Sequence, residues 1–434
     1  MAAVPPAFAR GALRADAPRR AHYGRVFDVA FCPWDDSLFA TAGEDETARV
    51  WRDETRARSG ARAGVASHGA CRGHRDEVVR VAWHPTMTIL ATGSADGTAC
   101  LWRVAQPGAG GASAHDPDAG AIARVDVLGG HPEEVYGCAF VGDGSGGGPV
   151  LATASGTDLR LWDLESAKVV QTAPSPRATR DGPGRPEARP PGSSENENEN
   201  ERGGSVVPER WRPGYLMSLA SDAGARGLLA SACTDGSVKV WALDQPGRSA
   251  TPIASLPWHD GAMVTATAFA SDGDVLVSAD SAGVVCATDV RTWTQTRRIK
   301  APRGVYGICA APNGVPWVAM CGGDGVVRAA PAEAAGGDRT VALAVAESSG
   351  EDAARLLCCA IDASGTRVAA AGWAPEAEGE GEGPGDPPGP SNARGPFSMK
   401  ASSAAAGPFG AKKRNAPPPN PIHLWDAAAR AGEA

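Results

Sequence analysis

The chain has 434 residues, enough for two or three ordinary domains or one large one. With 55 Gly, 35 Pro, 42% hydrophobic and 21% charged residues, it is turn-rich and does not read as a helical protein. A net charge of −8 argues against general nucleic-acid binding, which needs clustered Lys and Arg, and no apolar run of about 18 residues is present to span a membrane as a helix.

The first twenty residues are rich in Ala, Pro and Arg and lack the continuous apolar stretch of a secretory signal. Within them, Phe8 to Leu13 can serve as a strand. From His22 onward the chain repeats itself. His22 is followed by Val26, Val29 and Phe31; His74 by Val78, Val81 and Trp83; His131 by Val135, Cys138 and Phe140. Each is a half-buried strand by its alternation. A second signal follows each of the first two. Phe39 to Trp51, Leu90 to Trp102 and, later, Leu229 to Trp241 all place Asp six residues before Trp and Thr or Ser four before Asp. Asp96-Gly97 and Asp235-Gly236 suit two-residue hairpin turns, so each unit reads as strand, tight turn, strand.

The Gly-His pairs Gly73-His74 and Gly130-His131, and the Trp-Asp pairs Trp162-Asp163 and Trp425-Asp426, resemble the WD40 repeat family. The resemblance covers about residues 21–426 apart from two inserts. It implies an all-β fold, a seven-bladed WD40 β-propeller. Blades 1–3 are expected within 21–172, at about 21–53, 72–104 and 129–164. Blades 4–6 and half of blade 7 fall within 210–373, at about 210–243, 257–291, 302–331 and from Arg355 to Trp373. The last strand and tail occupy 422–434, and segment 1–20 is expected to close the last blade. Segments 173–209 and 374–421 are expected to be disordered inserts: they are Pro-rich and acidic, with few apolar residues to offset the entropy of ordering. Gly-rich joints lie at 108–120 and 142–148, and Lys412-Lys413-Arg414 reads as a solvated charge run.

By the same resemblance, a structural tetrad braces each blade. It is His22, Thr41, Asp45 and Trp51 in blade 1, and His74, Thr92, Asp96 and Trp102 in blade 2. Blade 3 has His131, Thr153 and Trp162, with Gly156 nearest the Asp slot. Blade 4 has Ser231, Asp235 and Trp241 without a His. Blade 5 keeps His259 but has Thr288 at the Trp slot, and blade 6 has Ala330 there. Asp28 and Asp280 stand outside the repeat pattern, and Asp28 reads as facing outward. The resemblance also implies a partner-binding top face. It is carried over to Arg25, Glu77, Glu134, Met263, Gly304 and Arg355, and to Phe27, Val79, Tyr136, Leu216, Thr265, Tyr306 and Leu357. Arg25 and Arg355 are candidates for a basic clamp.

Function then reads as a non-catalytic scaffold that binds other proteins or peptides, a monomeric propeller within a larger cytoplasmic or nuclear complex. The alternatives are a nuclear RNA- or chromatin-associated propeller and a substrate receptor of a cullin-type ubiquitin ligase. The second is weakened because Trp162-Asp163 and Trp425-Asp426 are not followed by x-Arg, and Asp289-Val290-Arg291 follows Thr288. Neither cofactor nor catalytic residue is expected. A His-Ser-Asp set repeated in several blades does not define one active site. The ten Cys lack a C-x-x-C and read as reduced, buried side chains rather than a metal cluster.

Overall fold

The computed structural model describes residues 8–9, 22–53, 65–106, 121–141, 149–174, 214–222, 226–244, 248–310, 317–332, 341–345, 355–373 and 422–427. Their strands pair into seven four-stranded antiparallel sheets, here called blades 1 to 7 in chain order. The innermost strands are Val26–Phe31, Val78–Trp83, Val135–Val141, Leu216–Ser221, Val264–Ala270, Val305–Ala310 and Arg355–Ile361. Each packs on the next, and the last packs on the first, so the sheets form a β-propeller. Among the described residues no helix is long and apolar enough to cross a membrane.

Close stacking of blades explains the composition of the second strands. Leu38–Gly43, Val150–Ser155 and Leu228–Cys233 are buried at every residue, because a neighbouring sheet covers each face. Ala40, Ala42, Ala152, Ala154, Ala230 and Ala232 are small enough to admit that approach. The hairpin turns follow the expected chemistry. Gly97 and Gly236 take φ of 78° and 84°, the left-handed region that glycine enters without strain, and a Cβ on Gly236 would stand 2.6 Å from the Gly261 Cα.

All seven innermost strands carry a bulge at the same place. The register slips across Phe27, Val79, Tyr136, Met217, Thr265, Tyr306 and Leu357, each left unpaired with the second strand. This corrects one expectation. Leu216 is paired with Cys233 and fully buried between blades, and Met217 holds the equivalent position in blade 4. A second slip recurs on outer strands beside the Trp slot. It skips Val125, Val170 and Ile253 in blades 2 to 4, and all three are among the exposed large hydrophobics.

The ring closes between blades 7 and 1. In blade 7, Arg367–Trp373 pairs with Ile422–Ala427, which in turn pairs with Phe8–Ala9. Val26, Val29 and Trp51 of blade 1 pack on Ala369, Ala371 and Leu424 of blade 7. Arg367, 1% exposed, holds the seam by charge. It reaches Asp362 at 3.4 Å in its own blade and Asp53 at 2.6 Å in blade 1, donates to the Asp36 carbonyl, and lies over the Phe31 ring. Ala173, expected to open the first insert, is instead buried in the outer strand Lys168–Pro174. The remainder of that insert, the insert 374–421 with its Lys-Lys-Arg run, and the Gly-rich joints lie outside the described residues. Removing one partner of a buried pair strands the other charge. Arg367→Met therefore lowers the stability measured by urea unfolding by about 3–5 kcal/mol, and a loss under about 1 kcal/mol contradicts the latch.

Candidate functional site

In blade 1 the Trp51 indole N–H donates to Thr41 Oγ1 at 2.8 Å. His22 Nε2 lies 2.7 Å from the same oxygen, and His22 Nδ1 lies 2.8 Å from Asp45. Blade 2 repeats the chain: Trp102 to Thr92 at 2.9 Å, Thr92 to His74 at 2.7 Å, and His74 to Asp96 at 3.1 Å. The direction follows from counting protons. Where the imidazole is neutral, its one proton sits on Nδ1, facing a carboxylate that only accepts, so Nε2 takes the hydroxyl hydrogen while the hydroxyl oxygen takes the indole N–H. Each buried polar group of these two tetrads is then paired.

Blade 3 substitutes a carbonyl for the carboxylate. Trp162 donates to Thr153, Thr153 meets His131 Nε2 at 2.9 Å, and His131 Nδ1 meets the Gly97 carbonyl of blade 2 at 3.1 Å. Gly156, nearest the Asp slot in sequence, has no side chain to offer and takes φ 56° in the turn. Blade 5 corrects the reading of Asp280 as unrepeated. Asp280 accepts from His259 at 2.8 Å, and His259 Nε2 meets Ser278 at 2.7 Å. It does the repeat's work from two residues after the hydroxyl rather than four. Blade 4 departs from its expected set. Ser231 donates to the Ala232 carbonyl, the Trp241 indole N–H is buried without a partner, and Asp235 pairs with Lys239 at 2.9 Å. In blade 6 Met320 and Ala330 replace hydroxyl and indole together, so neither is orphaned, and Arg328 meets Asp324 at 2.6 Å.

Burial lowers the His22 pKa, and burial with the nearby Arg160 charge lowers His131 to about 4, so both are neutral near pH 7. His74 moves the other way: its bond to Asp96 and the Cys100 sulfur outweigh burial and raise it to about 9. Bonds from His22 and His74 hold Asp45 and Asp96 well below the usual carboxylate range against their own burial.

The expected top face divides into two layers. Phe27, Val79, Tyr136 and Leu357 are buried and form one apolar cluster with Met217, against which Tyr306 packs. Thr265 is buried too and donates to the Ala279 and Val305 carbonyls. The bulge turns these side chains inward, which corrects the assignment of Phe27, Val79, Tyr136 and Leu357 as an exposed binding set. The layer above is half-buried at Arg25, Glu77, Glu134, Tyr215, Met263 and Gly304 and exposed at Arg355. Arg25 pairs with Glu44 at 3.1 Å and Glu77 at 3.2 Å, and Arg355 lies 5.6 Å from the Trp373 ring centroid, so the two do not make the expected clamp. A cavity of about 320 Å³ is lined by residues of all seven innermost strands, Tyr306 and Leu357 among them. Asp28 faces it rather than solvent: its carboxylate accepts the Val29 and Val81 N–H groups and stands 3.8 Å from Arg80. Arg80 donates onward to the Tyr136 and Met217 carbonyls, which ties blades 1 to 4. Burial raises the Asp28 pKa. No group of three or more His, Cys, Asp or Glu fit to hold a metal ion occurs among the described residues.

Residues 18–52, 67–103, 123–163 and 250–287 match the family model described as WD domain, G-beta repeat. These four segments are WD40 repeats. The matched segments fall on blades 1, 2, 3 and 5, the four in which a His bonds to the blade's hydroxyl. A stretch of 81 residues is 41% identical to the "Probable cytosolic iron-sulfur protein assembly protein Ciao1" of Culex quinquefasciatus, over 19% of this chain and 22% of that protein. A stretch of 88 is 35% identical to the human "F-box-like/WD repeat-containing protein TBL1X", over 19% and 15%, and one of 167 is 29% identical to human Striatin-4, over 38% and 21%. The chain thus spans less than a quarter of the length of the curated relatives it matches.

Thr92→Val leaves the Trp102 N–H and His74 Nε2 buried and unpaired, whereas Ser231→Ala removes only a bond to a neighbouring carbonyl. Urea unfolding should give a loss of about 2–3 kcal/mol for the first and under about 1 kcal/mol for the second. Equal losses contradict the role given to the hydroxyl.

Proposed function

We propose that this WD40-repeat chain is a non-catalytic, seven-bladed scaffold that holds other proteins or peptides on its top face within a larger complex. The observation that carries this reading is the repeated use of its His, Thr, Ser and Asp groups as blade braces. A set such as His259, Ser278 and Asp280 has the composition of a hydrolytic triad, yet its equivalents recur in blades 1 and 2 with an indole in place of a substrate. The similarity to a protein named for iron-sulfur assembly and to one named for its WD repeats supports an interaction role. The ring is taken to comprise 21–174, 210–373 and 422–434, interrupted by two inserts, with segment 1–20 as the closing strand of blade 7.

Within this reading the contact residues are those of the upper layer rather than of the buried cluster: Glu77, Glu134, Tyr215, Met263 and Arg355, with the half-buried Tyr306 that packs on the cluster and the exposed Arg75 and Arg303. Charged and aromatic side chains on rigid turns suit protein recognition. The test is co-purification of tagged full-length chain. The variant Arg75→Glu, Arg303→Glu, Arg355→Glu loses at least tenfold of the proteins recovered with wild type while keeping the wild-type unfolding midpoint. A rim variant, Val125→Lys with Ile253→Lys, keeps them. The opposite pattern places the interface on the rim and sinks the top-face assignment.

A further inference from the structure

We propose that Cys309 and Cys359 are a modification site: a dithiol across which a hydroperoxide closes a disulfide between blades 6 and 7. Cys309 lies on Val305–Ala310 and Cys359 on Arg355–Ile361, the innermost strands of those blades. Their sulfurs stand 3.6 Å apart, with the Cys309 thiol directed at Cys359 Sγ. A disulfide has an S–S length of about 2.05 Å, so the sulfurs need to close by about 1.5 Å, a distance that χ1 rotation can cover. The strands meet closely here, since a Cβ on the intervening Gly307 would lie 2.9 Å from the Cys358 Cα.

Access separates this pair from most of the other thiols. Both residues line the axial cavity, and Cys309 is partly exposed, whereas Cys32, Cys71, Cys100, Cys233, Cys286 and Cys321 are buried and do not line it. A small peroxide fits a cavity of about 320 Å³. The hydrogen bond that Cys359 accepts from Cys309 favours its thiolate, the nucleophilic form.

The chemistry balances with hydrogen peroxide as the oxidant. The Cys359 thiolate attacks one peroxide oxygen, the O–O bond breaks, and hydroxide leaves and is protonated to water. The sulfur becomes a sulfenic acid. Cys309 then attacks Cys359 Sγ, the S–O bond breaks, and the departing hydroxide takes the Cys309 proton. Two thiols and one peroxide give one disulfide and two waters; the sulfurs lose two electrons and the peroxide gains them. The bond closes a loop between positions 50 apart and ties two blades next to the ring seam.

The experiment treats purified full-length chain with hydrogen peroxide, alkylates the remaining thiols, and reads the digest by mass spectrometry. The expected result is a peptide pair joined through Cys309 and Cys359, lighter by two hydrogens and separated by dithiothreitol, at doses that leave Cys32, Cys71 and Cys100 alkylated. Recovery of both residues as alkylated thiols overturns the proposal, as does a link from Cys359 to Cys321. The thermal unfolding midpoint should rise reversibly on oxidation, and Cys309→Ser should abolish the rise; a rise retained in that variant also overturns it. If Cys309→Ser does not fold, phenylarsine oxide, which chelates paired thiols, provides the second readout on wild type. It should protect Cys309 and Cys359 together from alkylation, and failure to protect them counts against the site.

Discussion

One hydroxyl oxygen holds each braced blade together. At Thr41 and Thr153 a single oxygen takes an indole N–H from the third strand and passes its own hydrogen to a neutral imidazole ahead of the first, while at Thr92 the oxygen takes the indole N–H and meets the ring of His74, whose pKa is raised to about 9. The imidazole passes its proton to a carboxylate or carbonyl at a turn. Three parts of the blade are thereby fixed by groups that would each be costly to bury alone. The exceptions follow the same accounting. Blade 6 loses hydroxyl and indole together and leaves neither orphaned. Blade 4 keeps hydroxyl and indole without their bond, leaves the Trp241 N–H unpaired, and balances Asp235 with Lys239 instead.

Bracing fixes the blades, and the bulges fix what the ring shows to solvent. The extra residue is buried in most innermost strands, where Phe27, Val79, Tyr136, Met217 and Leu357 join one apolar cluster. A partner arriving from above therefore meets the turn residues one layer higher. The channel below is polar at Asp28 and Arg80 and thiol-lined at blades 6 and 7. The ring has no covalent seal across blades 7 and 1, so the buried Arg367 network and the short strand Phe8–Ala9 stand where the fold would otherwise open.

Much of this was legible in the residues alone. The fixed separation of Thr, Asp and Trp, and the His four residues before the first Val, locate strands and turns because they are local and periodic. What escaped was not periodic. Blade 4 has no His from which to count, so the strand pattern points to Leu216 where Met217 holds the position, and the bulge that buries these side chains leaves no mark in the spacing. Asp280 serves His259 from an unexpected spacing, because hydrogen bonding depends on where a carboxylate stands in space rather than on its count along the chain. Arg367 and Asp53 are separated by 314 positions, and no spacing rule joins them. Asp28 looked outward by alternation, yet the bulge at Phe27 turns it to the axis.

The central claim, that in blades 1 and 3 the hydroxyl donates to a neutral imidazole and receives from the indole, is tested most directly by nitrogen NMR of the His22 and His131 rings at pH 7. His22 and His131 should each be neutral with the proton on Nδ1, the tautomer less common in free histidine. As the solution is acidified, His131 should stay neutral well below its ordinary pKa of about 6.5, because burial and the Arg160 charge lower it to about 4. A proton on Nε2, or a charged ring at neutral pH, would mean that the hydroxyl does not point at the imidazole, and the account of the blade brace would fail.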